Sequence, residues 1–121
     1  MNFSVAFRRL GAARVLAPEG ELDAHSAPEF EAALQKALDD GDTCLVVDGS
    51  GLDYVSSAGL GVFMAFVEPA RDAGGDLKVA ALPPRVFEVF DLLGFPQVFD
   101  VTDTVEAAVA QFDAATPPEA A

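Results

Sequence analysis

Positive charge is scarce in this sequence: 7 lysines and arginines stand against 20 aspartates and glutamates in 121 residues, a formal net charge of −13. Nucleic acid and anionic membrane surfaces bind through a basic footprint, so neither is expected as a partner. Such acidity also keeps a small protein soluble. There is one cysteine, Cys44, in the apolar run "CLVV". No disulfide can form within the chain, which suits a reducing compartment, and a buried structural thiol is expected. One histidine, His25, and scattered carboxylates offer no metal-ligand spacing, so no metal or other cofactor is expected. The longest near-apolar run, residues 58–67, is about half of the roughly 20 residues a membrane helix needs. No basic segment followed by an apolar one opens the sequence, so a signal peptide is not expected and a cytoplasmic location is. No G-K-[ST] follows the glycines of "DGSGLD", which excludes a P-loop.

What the sequence does hold is core material, with 51% hydrophobic residues and ten phenylalanines. The length suits one domain. Phe3, Val5 and Phe7 alternate with polar or small residues, and "ARVLAP" follows a turn at Gly11, which predicts a hairpin. Ser26 with Glu29 forms a capping-box pattern with Pro28 in the first turn, and Phe30, Ala33, Leu34, Ala37 and Leu38 continue at helical spacing to about residue 39. "TCLVV" reads as a strand covered on both faces. A helix over about 58–72 follows, then a strand "DLKVAAL", a helix opened by Pro83 and Pro84 with Gly94 as its C-cap, a strand "QVFDV" and a last helix carrying Val105, Val109 and Phe112. The expected order is β-β-α-β-α-β-α-β-α. This is an α/β domain over residues 1–113, a mixed, mostly parallel sheet of about five strands packed against four helices. Residues 114–121 lack an apolar periodicity and are expected to be a disordered tail.

The stretch "DYVSSAGLGVF", residues 53–63, follows the central strand and precedes the second helix. Functional groups gather at the carboxyl ends of strands in open α/β sheets. Ser57 is placed to be the helix N-cap. Leu60, Phe63, Met64 and Val67 share one face of the helix, while Ala58, Val62, Ala65 and Phe66 form a second apolar stripe. A helix apolar nearly all round is buried on both sides or meets a partner. Gly59 and Gly61 each cost roughly 0.8–1 kcal/mol in a helix interior, which implies close approach of another element or another protein. A serine hydrolase would set its nucleophile in G-x-S-x-G, whereas the neighbours here read V-S-S-A-G, and nothing in the sequence brings His25 to Ser57.

Three segments resemble the sulfate transporter and anti-sigma factor antagonist (STAS) domain, and in particular the stand-alone bacterial anti-sigma factor antagonists. They are "GELDAHSAPEFEAAL", "LDYVSSAGLGVFM" and "GGDLKVAALPPRVFEVFDLLGF", and the likeness runs from about residue 3 to 113. The resemblance implies a phospho-switchable binding protein, not an enzyme. Its unphosphorylated form would bind an anti-sigma factor that is a serine kinase, and phosphorylation would release it. A metal-dependent, PP2C-like serine phosphatase would reset the system. The phosphoacceptor falls on Ser57, with Ser56 as the alternative, because Ser56 stands where the family commonly has an aspartate. Asp23 matches a family acid close to the acceptor. The partner surface would comprise Asp23, Ser56, Ala58, Gly59, Gly61, Val62 and Phe66, with Asp53 adding repulsion or steering if close. The resemblance also implies a monomer when unbound. A second reading keeps the fold but makes the chain a non-phosphorylated STAS subunit, for instance of a lipid-transport ATPase or a secretion-control assembly.

Overall fold

The computed structural model describes residues 3–115. β1 (Ser4–Leu10) and β2 (Ala13–Leu22) form the expected antiparallel hairpin, turned at Gly11. Then come α1 (Ala27–Asp39), β3 (Cys44–Asp48), a single 3-10 turn at Gly49–Gly51, β4 (Leu52–Val55) and α2 (Ser57–Asp72). The chain continues through β5 (Asp76–Ala80), α3 (Pro84–Leu92), a 3-10 turn at Phe95–Gln97, β6 (Val101–Thr102) and α4 (Val105–Ala115). Six strands make one sheet in the order β1-β2-β3-β5-β6, with β4 paired to β2, and every pairing except β1 with β2 is parallel.

The alternation of side chains along the central strands divides the core in two. Leu45 and Val47 of β3, with Leu77 and Val79 of β5, face the layer of α1, α2 and α3. Val46 and Ala80 face Val105, Ala108, Val109 and Phe112 of α4 on the other side. Phe63 of α2 sits at the centre of the larger cluster, fully buried. Its ring lies 5.2 Å from those of Phe30 and Phe90 and 6.2 Å from that of Phe99, in tilted and edge-on arrangements that suit aromatic quadrupoles.

Several local expectations need correcting. "QVFDV" is not a strand: Phe95–Gln97 makes a tight turn, Phe99 drops into the core from it, and only Val101 and Thr102 pair with β5. Gly94 is left-handed (φ 77°) but follows the cap residue Leu93. Cys44 is half-buried and not enclosed. α4 continues to Ala115, past the expected domain boundary, and residues 116–121 of the expected tail lie outside the described residues.

At the amino edge of the sheet, Asp42 accepts from Arg9 at 2.7 Å and Arg14 at 2.6 Å. Burial raises its pKa, but the hydrogen bonds and charges of the two arginines outweigh that and hold the carboxyl below its ordinary value. A depressed folded-state pKa stabilises above the unfolded value of about 3.9 and loses that contribution as pH falls through the folded value. Acid unfolding of Asp42→Asn should therefore show a shallower fall in stability below about pH 4 than wild type, measured by urea melts across pH. A fall of equal steepness would refute the assignment.

Candidate functional site

The site is built by a change of partner along β2. Its first half pairs with β3, but its last residues pair with β4: Gly20 opposite Leu52, Glu21 opposite Tyr54, and Leu22 opposite Val55. The two parallel strands end in step, so the turn after Leu22 and the serine pair after Val55 emerge side by side. The backbone N–H of Ser56 donates to the Leu22 carbonyl at 2.8 Å and closes the junction.

Ser56, not Ser57, is the N-cap of α2. Its backbone is extended, and its hydroxyl oxygen accepts from the Gly59 N–H at 3.4 Å. Ser57 is thereby left as the first helical residue. Its side chain is exposed and makes no hydrogen bond among the described residues. Of two adjacent hydroxyls, one is occupied in the helix start and the other faces solvent.

Across the junction, Asp23 and Ser26 bond each other reciprocally in the turn before α1. The Ser26 N–H donates to Asp23 Oδ1 at 3.1 Å, and the Asp23 N–H donates to Ser26 Oγ at 3.0 Å. The reciprocal pair therefore sits one turn earlier than the Ser26–Glu29 pattern predicts, and Ser26 makes no cap bond of its own. Its hydroxyl donates to the Glu21 carbonyl at 2.6 Å. Asp23 Oδ1 also receives the His25 N–H at 2.9 Å. The Ser26 N–H is the largest influence on the Asp23 carboxyl; with the His25 N–H, the Ser26 hydroxyl and the His25 charge it outweighs desolvation and lowers the pKa. Asp23 is thus a fixed anion beside the serine pair. Ser26 is the site residue that sequence reasoning assigned elsewhere; the D-x-x-S spacing was its signal.

The second stripe of α2 is mostly covered by its own protein. Val62 and Phe66 are buried in the α1–α2–α3 core cluster, and Gly59 is buried against β2. Ala58 is half-buried, while Gly61 and Ala65 are exposed. Together with Ala24, Ala27 and Pro28 they line a shallow groove of about 300 Å³ between α1 and α2, with Val62 as its floor and Glu31 at its rim. Asp53 is exposed on β4, as is Tyr54.

The two glycines consequently have different reasons. A Cβ on Gly59 would lie 2.7 Å from Leu22 Cγ and 2.8 Å from the Leu22 carbonyl oxygen, whereas one on Gly61 would meet nothing within 4 Å. Gly61→Ala should raise stability by up to about 1 kcal/mol through helix propensity. Gly59→Ala should lower it by about 1–2 kcal/mol, because overpacking against backbone exceeds that gain. Chemical denaturation of both variants checks the pair, and a destabilised Gly61→Ala would contradict the open space seen there.

A family model described as "Mlab, STAS domain" matches residues 5–103. The chain belongs to the STAS-domain family. Among STAS relatives, BtrV of Bordetella bronchiseptica, whose name classes it with the anti-sigma factor antagonists, is 38% identical over 99 residues, covering 82% of this chain and 85% of that protein. The anti-sigma-B factor antagonist of Bacillus subtilis is 31% identical over 90 residues, covering 74% and 82%. The unphosphorylated form of the anti-sigma factor antagonist SpoIIAA shares the STAS fold with a TM-score of 0.77 at 20% identity, covering 94% of this chain and all of that one. The phosphorylated form of SpoIIAA, described as a Bacillus cell-fate determinant, superposes with a TM-score of 0.67 at 21% identity, covering 91% and 98%. Among the described residues no group of three His, Cys, Asp or Glu side chains is placed to hold a metal ion, and no helix is long and apolar enough to cross a membrane.

Proposed function

We propose that this chain is an anti-sigma factor antagonist that works by partner switching. Unphosphorylated, it binds an anti-sigma factor serine kinase; the kinase transfers a phosphoryl group from ATP to Ser57 and lets go; a PP2C-like serine phosphatase removes it. The observation that carries this reading is the division of labour at the head of α2, where the Ser56 hydroxyl is held by the Gly59 N–H and the Ser57 hydroxyl stands exposed. The names of the curated relatives and the solved phosphorylated form of a protein with this fold agree with it. On this reading the chain works by binding its partners rather than by catalysing a reaction of its own. The docking surface combines Asp23 and Ser56 with the groove residues Ala58 and Gly61. Gly59, Val62 and Phe66 serve it from beneath, by setting where α2 lies.

The phosphate would act locally. It adds about −1.5 to −2 charges at pH 7, which barely alters a molecule already at −13 and is screened beyond about 8 Å. Mass-spectrometric phosphosite mapping of protein purified from its own cell tests the assignment, with modification at Ser57 expected. Modification at Ser56 would move the acceptor. Absence of phosphate at either serine, with the kinase active, would favour the second reading, a STAS subunit that is not phosphorylated, as in a lipid-transport ATPase or a secretion-control assembly. The observation on that side is Ser56, which replaces the aspartate common before the family's acceptor.

A further inference from the structure

We propose that His25 is the counter-cation of a phosphate on Ser57. This rests on the reading of Ser57 as the phosphoacceptor. The first observation is a placement. Leu22 and Val55 are register partners, the Ser56 N–H bonds the Leu22 carbonyl, and Gly59 packs directly on Leu22. The immediate neighbours of the two residues, Ala24 and Ala58, line the same groove. His25 is exposed, and its backbone is pinned by the bond from its N–H to Asp23 Oδ1, so the imidazole hangs from a fixed point at the serine end of the sheet.

The second observation is how the other cations are used. Arg9 and Arg14 are bound to Asp42, Arg8 to Asp48, Lys36 to Asp40, Arg71 to Asp76, and Lys78 to Asp76 and Asp100. None of these pairs involves a residue of the serine junction. The charged or titratable groups on the parts of these elements next to His25 are Asp23 in its own turn, Glu19 and Glu21 at the end of β2, Glu29 and Glu31 at the start of α1, and Asp53 and Tyr54 on β4, while Arg14, Lys36 and Asp39 lie toward the far ends of β2 and α1. The opening turn of α2 carries no acidic residue. Arg85, in the first turn of α3, is the one arginine or lysine without an ion pair among the described residues. A dianion placed on Ser57 thus enters an acidic neighbourhood in which His25 is the group on the adjoining turn able to become positive.

An anion within about 4–6 Å of an imidazole favours its protonated form, and by linkage the protonated imidazole favours the fully ionised phosphate.

His25 is the only histidine, so its ring protons give one unambiguous NMR titration. The protein is made with phosphoserine installed at position 57 during translation, which makes the measurement independent of any kinase. Failure to find phosphate on Ser57 in the cell would then sink the partner-switching reading while leaving this result standing. Relative to the unmodified protein, the His25 titration midpoint should move to higher pH by half a unit or more. In the phosphoprotein carrying His25→Gln, the phosphorus-31 midpoint for the second phosphate ionisation should move upward as well. A His25 midpoint that does not move overturns the proposal. A phosphate midpoint that ignores His25→Gln but responds to Arg85→Gln also overturns it, and assigns the role to α3.

Discussion

On the partner-switching reading, Ser57→Asp should weaken binding of the proposed anti-sigma factor kinase by about a hundredfold or more while leaving the fold intact. At an exposed helix N-terminus an anion is well tolerated in the free protein, because the unpaired N–H groups and the helix dipole favour it. In the complex the same group must be covered. Removing a carboxylate from water without a matching partner costs several kcal/mol, and a hundredfold loss corresponds to about 2.8 kcal/mol. Asp23, held as an anion by its turn, adds to the penalty from the neighbouring strand end. Ser57→Ala, by contrast, removes only an exposed hydroxyl that makes no hydrogen bond among the described residues. It should bind within a few-fold of wild type and accept no phosphate, which locks the complex on. Calorimetric titration against the purified kinase measures both affinities, and thermal melts within a few degrees of wild type confirm that the fold is unchanged. If Ser57→Asp bound as tightly as wild type, the switch would lie elsewhere.

Phe63→Ala should be the most damaging single change to stability. The ring is fully buried and touches three other phenylalanine rings, from α1, α3 and the segment before β6. Truncating a phenylalanine in such a setting costs about 3–5 kcal/mol, of a total stability that for domains of this size is only about 5–15 kcal/mol. The melting temperature should fall by on the order of 15 °C. Phe87, on the neighbouring helix, is 38% exposed, and its truncation should cost less than about 1 kcal/mol. Urea melts of the two variants test the contrast; equal losses would mean that the cluster around Phe63 is not the keystone of the α-helical layer. Because Phe63 and Ser57 share a helix, a loosened Phe63 should also weaken kinase binding without any change at the contact surface.

Much of this architecture was legible in the residues. The limits of α1 and the end of α2 follow from apolar spacing and from the residues that close each helix, and "TCLVV" announced a strand buried on both faces. What was hidden depended on tertiary context. β4 has buried residues only at its ends, Leu52 and Val55, so its four residues show no period of two; it is a strand because β2 runs on past β3 and offers it a partner. The second apolar stripe of α2 could not be told from a docking face, because only the fold reveals that Val62 and Phe66 are buried in the core cluster. Phe99 belongs to an apolar run that reads as strand but reaches the core from a turn, since Pro96 and the tight backbone before it deny the ladder. At the serine pair, the sequence put both the helix cap and, through the family resemblance, the phosphoacceptor on Ser57. Separating the two duties needed the extended backbone at Ser56 and its bond to Gly59.

That assignment bears on what an aspartate at position 56, the residue the resemblance leads one to expect there, would do. Serine and aspartate are about equally good N-caps, so the position keeps its mechanical duty whichever residue fills it. They differ in charge. With serine at 56, the first turn of α2 contains no acidic side chain. A phosphate arriving on Ser57 would be the first negative charge on that turn rather than the second. The two states of the protein would then differ there as blank from marked, a higher-contrast signal for any partner that reads the helix end.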